Sequence, residues 1–189
     1  MEGRLIILGL AIVLSLATIP ANCGYYSKTL PNVYKKERIT KLHFFLFDIL
    51  SGTKPTAVEV ARANFAKGDK SPTPFSTVMA IDDPLREGPE TTSKVVGNAQ
   101  GLYVSSSSEP GTLGLVMYVD FGFTTGKFNG SSFTVVSRNP VTEGDRELAV
   151  VGGRGKFRLA RGFAKLTTSY LNVTNGDAVI EYNVTLIHH

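Results

Sequence analysis

The stretch DRELAVVGGRGKFRLARGFA, residues 145–164, decides the fold, because it joins two apolar strands through a glycine-rich link. It predicts one strand over 148–151, a turn over 152–155 and a second strand over 156–165. In the second strand the bulky side chains share one face and the small ones the other, with Phe157, Leu159, Arg161 and Phe163 against Arg158, Ala160, Gly162 and Ala164. A face of small residues is typical of a sheet that curves tightly or lines a cavity. The glycines lack the spacing of a phosphate-binding loop, so they indicate a hairpin.

The rest of the chain repeats this strand-and-turn pattern. Further strands are predicted over 39–50, 57–65, 75–81, 95–105, 113–125, 131–138 and 177–187. Glycine, proline and serine fill the links, and no window has a convincing helical period. The segment ITKLHFFLFDIL (39–50) is apolar on both faces, which favours the wall of a closed barrel or a subunit contact. The sequence therefore predicts an all-β antiparallel fold of eight or nine strands, closed into a barrel without free edges.

The N-terminal residues 1–23 have the features of a secretory signal peptide, which are a basic start, an apolar run and small residues before the cleavage site. Cleavage is predicted after Cys23, and residues 24–38 are then a flexible N-terminus before a single domain over 39–189. Because Cys23 is the only cysteine, the mature chain has none. This excludes a disulfide framework, a thiol nucleophile and a zinc–thiolate site.

Three glycosylation sequons agree with passage through the secretory pathway, and they begin at Asn129, Asn172 and Asn183. The net charge of +4 is modest, and the basic residues are scattered along the chain. This pattern indicates a solvated surface rather than a nucleic-acid-binding one. No stretch after the signal peptide is long enough to span a membrane. From the charge pattern and this length, neither nucleic acid nor a membrane is expected as a partner.

Motifs for metal, haem, flavin or nucleotide binding are missing from the sequence, and no serine elbow accompanies the three histidines. The sequence therefore predicts no cofactor and no metal site. The remaining candidates for chemistry are polar residues within or beside apolar strands, namely Asp48, Asp82, Asp83, Tyr103, Asp120, Asn139 and Arg146. In a barrel such side chains project into the lumen and form an apolar pocket with a few convergent polar groups.

Each of these residues also has a plain structural interpretation. Asp48 shares a strand face with Phe44 and Leu46, and the alternative turns its side chain into the link at Ser51-Gly52. Asp82-Asp83 before a proline is also typical of a turn, and Asp120 and Arg146 have surface alternatives. The sequence leaves these alternatives open.

The chain resembles the plant dirigent proteins over nearly all of its mature length. The resemblance rests on collinear segments, which are FLFDILSG (45–52), IDDPLREGPE (81–90), SKVVGNAQGLYVS (93–105), FTTGKFNGSSFTVVSRNP (123–140), RELAVVGGRGKFRLARGFA (146–164) and NGDAVIEYNV (175–184). It implies an eight-stranded antiparallel β-barrel that is secreted to the apoplast, glycosylated and assembled as a homotrimer, with a dimer as the alternative.

The same resemblance implies a function. Such a protein directs the stereochemistry of phenoxy-radical coupling, for example of two coniferyl alcohol radicals to an optically active lignan. A separate laccase or peroxidase supplies the oxidation, so the dirigent protein is an auxiliary without redox activity of its own and not an enzyme. The family's reactive pocket residues fall on Asp48 and Arg146, and its substrate-binding positions fall on Tyr103, Asn139, Asp83 and Arg161.

Two positions depart from the family pattern. Phe47 stands where many members have a histidine, and Asn139 stands where pinoresinol-forming members have an aspartate. The segments RNP and EYNV are more similar to a large branch that includes pterocarpan synthases, which dehydrate an isoflavanol without radicals. The alternatives are therefore a lyase of that type, with Asp48 as acid or base, and a structural or defence protein that organises lignin deposition.

Overall fold

The computed structural model describes residues 36–64 and 71–189, which form nine β-strands. The strands are β1 (Arg38–Asp48), β2 (Ala57–Ala61), β3 (Val78–Arg86), β4 (Val95–Ser105), β5 (Gly114–Phe123), β6 (Ser132–Pro140), β7 (Arg146–Arg154), β8 (Arg161–Leu171) and β9 (Ala178–His188). The predicted signal peptide and most of the predicted flexible segment lie outside the described residues. None of the helical turns found in the described ranges is long and apolar enough to cross a membrane.

Eight of the strands close into an antiparallel barrel. From β3 to β9 each strand pairs with the next one in sequence, and β9 pairs with β1 along the full length of both. The ring closes where β1 meets β3, at the pairs Phe45↔Arg86 and Leu46↔Leu85. The short strand β2 continues beside β3 where β1 leaves it, beginning at Ala57↔Ile81. The predicted class, an eight-stranded antiparallel β-barrel, is confirmed.

Aromatic rings fill the half of the barrel near the start of β1, which we call the closed end. Phe121 and Phe133 stack at 4.9 Å between ring centroids, and Phe44 stacks on Tyr182 at 5.4 Å. These four side chains are at most 1% exposed. Alternate residues of every barrel strand point inward, as the period of two requires. Because large rings fill the interior of the barrel at the closed end, the interior cavity lies at the opposite end.

The doubly apolar strand over 39–50 forms β1 of the barrel wall. Phe44 and Leu46 belong to the interior cluster, whereas Phe45 and Phe47 pack with Val179 in a second cluster on the outer side. The guanidinium of Arg86 lies 5.3 Å from the Phe47 ring centroid. The described chain itself therefore buries both faces of this strand only over residues 44–47, since Ile39 in its first half is 69% exposed.

The alternative in which Asp82, Asp83 and Pro84 begin a turn is wrong, because β3 continues through them to Arg86. Proline has no N–H and normally interrupts a sheet. Here the side of β3 away from β4 pairs with β2 only up to Ile81 and with β1 only from Leu85. Pro84 lies between these two pairings, where the ladder requires no donor. Asp83 is therefore in mid-strand and points into the barrel.

The hairpin in the opening stretch is confirmed, but its turn lies further along the chain than predicted. Gly152 and Gly153 belong to β7, and the turn is a short 3-10 helix over Gly155–Phe157. A Cβ on Gly153 would lie 2.4 Å from the Phe157 carbonyl oxygen, so this glycine allows a close approach and does not form the turn. The small face of β8 points inward as expected, since Ala164 is fully buried while Phe163 is 36% exposed.

Candidate functional site

The cavity lies at the end of the barrel where β1 ends and β9 begins, and its volume is about 250 Å³. Its wall is mainly apolar, with Leu46, Ile81, Leu115, Met117 and Ile180 among the lining side chains. Nine polar side chains also line it, namely Asp48, Ser71, Thr73, Asp83, Tyr103, Asn139, Arg146, Thr168 and Tyr182. An apolar cavity with a few convergent polar groups is the usual form of a small-molecule site.

Asp48, Asp83 and Tyr103 form the acidic wall of the cavity, on β1, β3 and β4. Asp48 does not serve the turn that follows it, because another carboxylate does. Asp177 accepts the backbone N–H groups of Leu50 and Ser51 at 2.8 and 2.9 Å and the Ser51 hydroxyl at 2.5 Å. Asp177 thus accepts these hydrogen-bond donors of the turn, and the Asp48 carboxyl faces the cavity instead.

Both carboxyl groups of the acidic wall lack ordinary partners. Among the described residues, Asp48 Oδ1 and both oxygens of Asp83 are buried without a hydrogen bond. The Thr56 hydroxyl lies near Asp83, but it donates to the Phe47 carbonyl and accepts the Ile49 N–H. A buried carboxylate without donors is costly, so both groups favour the protonated form.

Their pKa values follow from this environment. Burial raises the pKa of Asp48 to about 7, while a hydrogen-bonding interaction with the Tyr103 hydroxyl opposes the shift and the charge of Asp177 adds to it. Burial also raises the pKa of Asp83 well above its usual range, and the charge of Asp48 raises it further. Burial and the two neighbouring carboxylates raise the pKa of Tyr103 as well. Asp48 and Asp83 are therefore candidate proton donors near neutral pH, whereas Tyr103 keeps its proton.

The opposite wall is basic. Arg146, on β7, is 3% exposed, and its guanidinium donates to Asn139 Oδ1 at 3.2 Å and to the Thr168 hydroxyl at 2.5 Å. No carboxylate of the described chain forms an ion pair with it. Burial lowers the pKa of Arg146, yet a guanidinium keeps its proton at neutral pH. The cavity thus contains a buried cation whose partners are neutral, which suits an electron-rich oxygen of a ligand.

Tyr182 lies on β9 between the two walls. Burial raises the pKa of its hydroxyl, the charge of Arg146 opposes the shift, and the charges of Asp83 and Asp48 add to it. Tyr182 and Thr168 were not among the predicted site residues. The signal for Tyr182 was a tyrosine at an inward position of an otherwise apolar strand, where a phenylalanine would pack equally well. Nothing in the local sequence marks Thr168, because a bulge follows it in β8.

The structure brings five of the six predicted pocket residues to this cavity, which are Asp48, Asp83, Tyr103, Asn139 and Arg146. It does not bring Arg161, which begins β8 at the closed end and forms an exposed ion pair with Glu37 at 2.6 Å. Asp120 lies on the outer surface and accepts the Thr134 hydroxyl at 3.0 Å.

The sequons lie at three different places on the barrel. Asn129 and Asn183 are exposed, on the link before β6 and on the outer face of β9. Asn172 is half-buried at the mouth of the cavity, between the lining residues Leu171 and Val173. In the described ranges, no group of three or more histidine, cysteine or acidic side chains is arranged to hold a metal ion.

A closed barrel with an apolar cavity and a few polar groups is the form of proteins that enclose a small ligand. Comparison with known proteins identifies the family, because the model of the Dirigent-like protein family matches residues 39–187. The chain belongs to this family.

The chain is 48% identical to dirigent protein 15 of Arabidopsis thaliana over the whole of both chains. It is 44% identical to pterocarpan synthase 1 of Glycine max, over 96% of this chain and 95% of that one. A solved structure of a pterocarpan synthase dirigent protein superimposes with a TM-score of 0.76 at 42% identity, over 87% of this chain and 98% of that one.

Proposed function

We propose that this protein is a lyase that removes water from a hydroxylated phenolic substrate of the isoflavanol type. The observation that carries the proposal is the pair of buried carboxyl groups, Asp48 and Asp83. Among the described residues, Asp48 Oδ1 and both Asp83 oxygens have no hydrogen bond, and burial raises the pKa of both groups. Elimination of water needs such a donor beside the leaving hydroxyl, because hydroxide is a poor leaving group. The identity of 44% to a pterocarpan synthase supports the same class of reaction.

The cavity size favours one substrate molecule at a time. At about 250 Å³ it lies near the lower end of the range of roughly 300–1,000 Å³ that is usual for ligand pockets. One fused-ring phenolic fits such a space better than two coupled phenols do. Its rings pack on Leu46, Ile81 and Ile180, and a phenolic oxygen lies against the guanidinium of Arg146.

In the proposed reaction, protonated Asp48 donates its proton to the leaving hydroxyl, and the C–O bond breaks with release of water. Arg146 holds the phenolic oxygen that feeds electrons toward the carbon losing the hydroxyl. A second phenolic hydroxyl of the same molecule then bonds to that carbon and returns its proton to Asp48. One water is lost overall, and the acid is regenerated.

The test incubates the purified protein with an isoflavanol without oxidant and measures the dehydrated product by chiral chromatography. We expect Asp48→Asn to lower the rate by about 100-fold or more, because an amide cannot supply the proton. Asp82→Asn is the matched control, since Asp82 is exposed and accepts the Asn98 amide at 2.6 Å on the outer face. Turnover unaffected by Asp48→Asn would refute the lyase.

A second candidate is the guidance of phenoxy-radical coupling, which the 48% identity to dirigent protein 15 over the whole chain favours. Here the cavity only orients a radical so that one of its faces is accessible. Coniferyl alcohol and a laccase, with and without the protein, provide the test. An enantiomeric excess that scales with protein and survives Asp48→Asn identifies a guide, whereas a racemic product excludes guidance for this substrate.

The cellular setting is part of the proposal. We place the protein in the apoplast after removal of residues 1–23, with glycans at the predicted sequons. In the coupling role, a laccase or peroxidase is the oxidising partner. A protein that organises lignin deposition would use the same cavity with looser substrate choice, and the coupling assay with several monolignols distinguishes that role from strict guidance.

A further inference from the structure

Two turns at the closed end of the barrel have the same sequence and the same conformation. Gly126–Phe128 and Gly155–Phe157 both read Gly-Lys-Phe, and each forms a single turn of 3-10 helix. The glycines have φ values of 64° and 63°, and each turn is closed by an N–H···O bond of 3.3 Å to its glycine carbonyl. The rings of Phe128 and Phe157 contact each other at 4.7 Å. The two turns therefore pack together as one unit, with Lys127 and Lys156 at the equivalent middle position of each turn.

The lysines of both turns line one cleft of about 370 Å³, together with Arg38 of β1. Thr40, Phe128 and the two C-terminal histidines complete its wall. Arg38, Lys127 and Lys156 are exposed, and none of them forms an ion pair within the described residues. The nearby acid, Glu37, is already paired with Arg161 at 2.6 Å. The cleft thus gathers three cationic side chains that have no ion-pair partner among the described residues.

Further exposed cations lie on the second turn and its flanks. Arg158 forms no ion pair within the described residues, whereas Arg154 lies 3.9 Å from Asp120 and Arg161 is paired with Glu37. A cleft lined by charge of one sign raises the local concentration of ions of the other sign. The cavity lies at the opposite end of the barrel, so an anion bound here does not compete with its ligand.

We propose that this cleft binds an extended carboxylated polysaccharide, such as a chain of uronic acids. The cations come from three separate elements, which suits a ligand with repeated charges rather than one compact anion. Each uronate also presents hydroxyl groups and an apolar C–H face, which match Thr40 and the half-buried Phe128 ring. The cleft would hold the barrel on an acidic polymer while the cavity stays open.

The test measures binding of the full-length secreted protein to oligogalacturonate by calorimetry at low and high salt. We expect binding that salt weakens, because exposed charges are screened, and no binding to the same polymer after complete methyl esterification. Lys127→Gln with Lys156→Gln is expected to weaken binding about tenfold, because two charge-assisted contacts are lost. Thermal melting of each variant confirms that the barrel is intact.

The matched control is Lys54→Gln with Lys165→Gln, which removes the same charge from exposed positions outside the cleft. It is expected to bind like the unmodified protein. Equal weakening in both double variants would mean that only net charge matters and would overturn the site. Equal binding to the esterified polymer, or preferential binding to vesicles that contain phosphatidylserine, would overturn the ligand class.

Discussion

Arg146 determines which ligands the cavity accepts, because it is a buried cation held by an amide oxygen and a hydroxyl. Removing a charge from water is costly, and neutral partners repay only part of that cost. A phenolate or polarised phenol supplies the missing negative charge. In the proposed function, the phenolic oxygen of the substrate therefore acts as the anionic partner of Arg146, which has only neutral partners among the described residues.

This arrangement predicts opposite effects of Arg146→Met on function and on stability. Turnover of a phenolic substrate should fall about 100-fold, because an apolar side chain cannot hold the phenolic oxygen. The free energy of unfolding should be unchanged or higher by about 1 kcal/mol, because the desolvated cation is gone. Steady-state kinetics and urea denaturation measure the two effects. A large loss of stability would show that Arg146 serves the fold rather than the substrate, and Arg146→Lys controls for charge without the two-pronged geometry.

Asp48 predicts a particular dependence of stability on pH. Its folded pKa of about 7 lies above the usual value, so the folded protein holds the proton more tightly than the unfolded chain does. This contribution to stability is fully present below pH ~4 and is lost as pH rises toward 7. Asp48→Asn should therefore be more stable than the unmodified protein at pH 8, on the order of 2 kcal/mol.

Urea denaturation at pH 5 and at pH 8 provides the measurement. Asp145→Asn, at an exposed position outside the cavity, should follow the pH profile of the unmodified protein. Parallel profiles for Asp48→Asn and the unmodified protein would contradict a raised pKa at Asp48.

Sequence alone located five pocket residues but could not decide their environment. A lone aspartate on an apolar strand face indicated Asp48, yet the competing turn at Ser51-Gly52 looked equally good. Asp177, 129 positions after Asp48 in the numbering, decided between them by taking the donors of that turn. The prediction that Arg161 lies in the pocket was wrong because a motif does not fix which end of the barrel a residue occupies. The register of β8 with β9 pairs Arg161 with Ile187, at the closed end.

At the scale of elements, the barrel depends on positions where two strands come very close. A Cβ on Gly162 would lie 1.9 Å from the Thr185 carbonyl oxygen of the neighbouring strand β9. The backbone there has a φ of 153°. The β8–β9 pair separates or shifts if any side chain is added.

Gly162→Ala is therefore expected to lower the free energy of unfolding by about 3 kcal/mol or more. Gly152→Ala is the matched control, since no heavy atom lies within 4 Å of the Cβ position there, and its effect should stay within about 0.5 kcal/mol. Chemical denaturation of both variants tests this difference. Equal stabilities would contradict the close approach of β8 and β9.

The boundaries of elements were harder to predict than their existence. Strands were correctly expected around the hairpin at 145–164, but the glycines of β7 were mistaken for its turn. The real function of Gly153, a close approach to the Phe157 carbonyl, arises only after the hairpin has folded back. In the same way, a proline interrupts most strands, but Pro84 does not interrupt β3. Its missing N–H lies between the two strands, β2 and β1, that pair with that side of β3.

At the scale of the whole molecule, one outer face of the barrel is unusually apolar. Val58, Ala80, Leu102, Tyr118 and Val136 pair in succession across β2 to β6. Tyr118 is 50% exposed and Val58 46% exposed. We propose that this band is a contact between copies of the chain in the predicted homo-oligomer.

Leu102→Glu with Tyr118→Glu should convert the oligomer to a monomer in sedimentation velocity, because two buried charges would face each other across the contact. Phe163→Glu is the control, since Phe163 is also exposed but lies on β8, outside the band. A protein that is monomeric before any substitution at micromolar concentration would remove the basis for this interface.

The pairing of β1 with β9 also has a consequence for biosynthesis. All eleven residues of β1 find their register partners in β9, about 140 positions later in the chain. During translation the early strand is finished long before its neighbour exists, and its apolar faces stay uncovered for that interval. Asp48 and Tyr182 come together only when β9 pairs with β1, after nearly the whole chain has been synthesised. A nascent chain arrested before β9 therefore lacks the strand that closes the barrel between β8 and β1, and with it one part of the cavity wall.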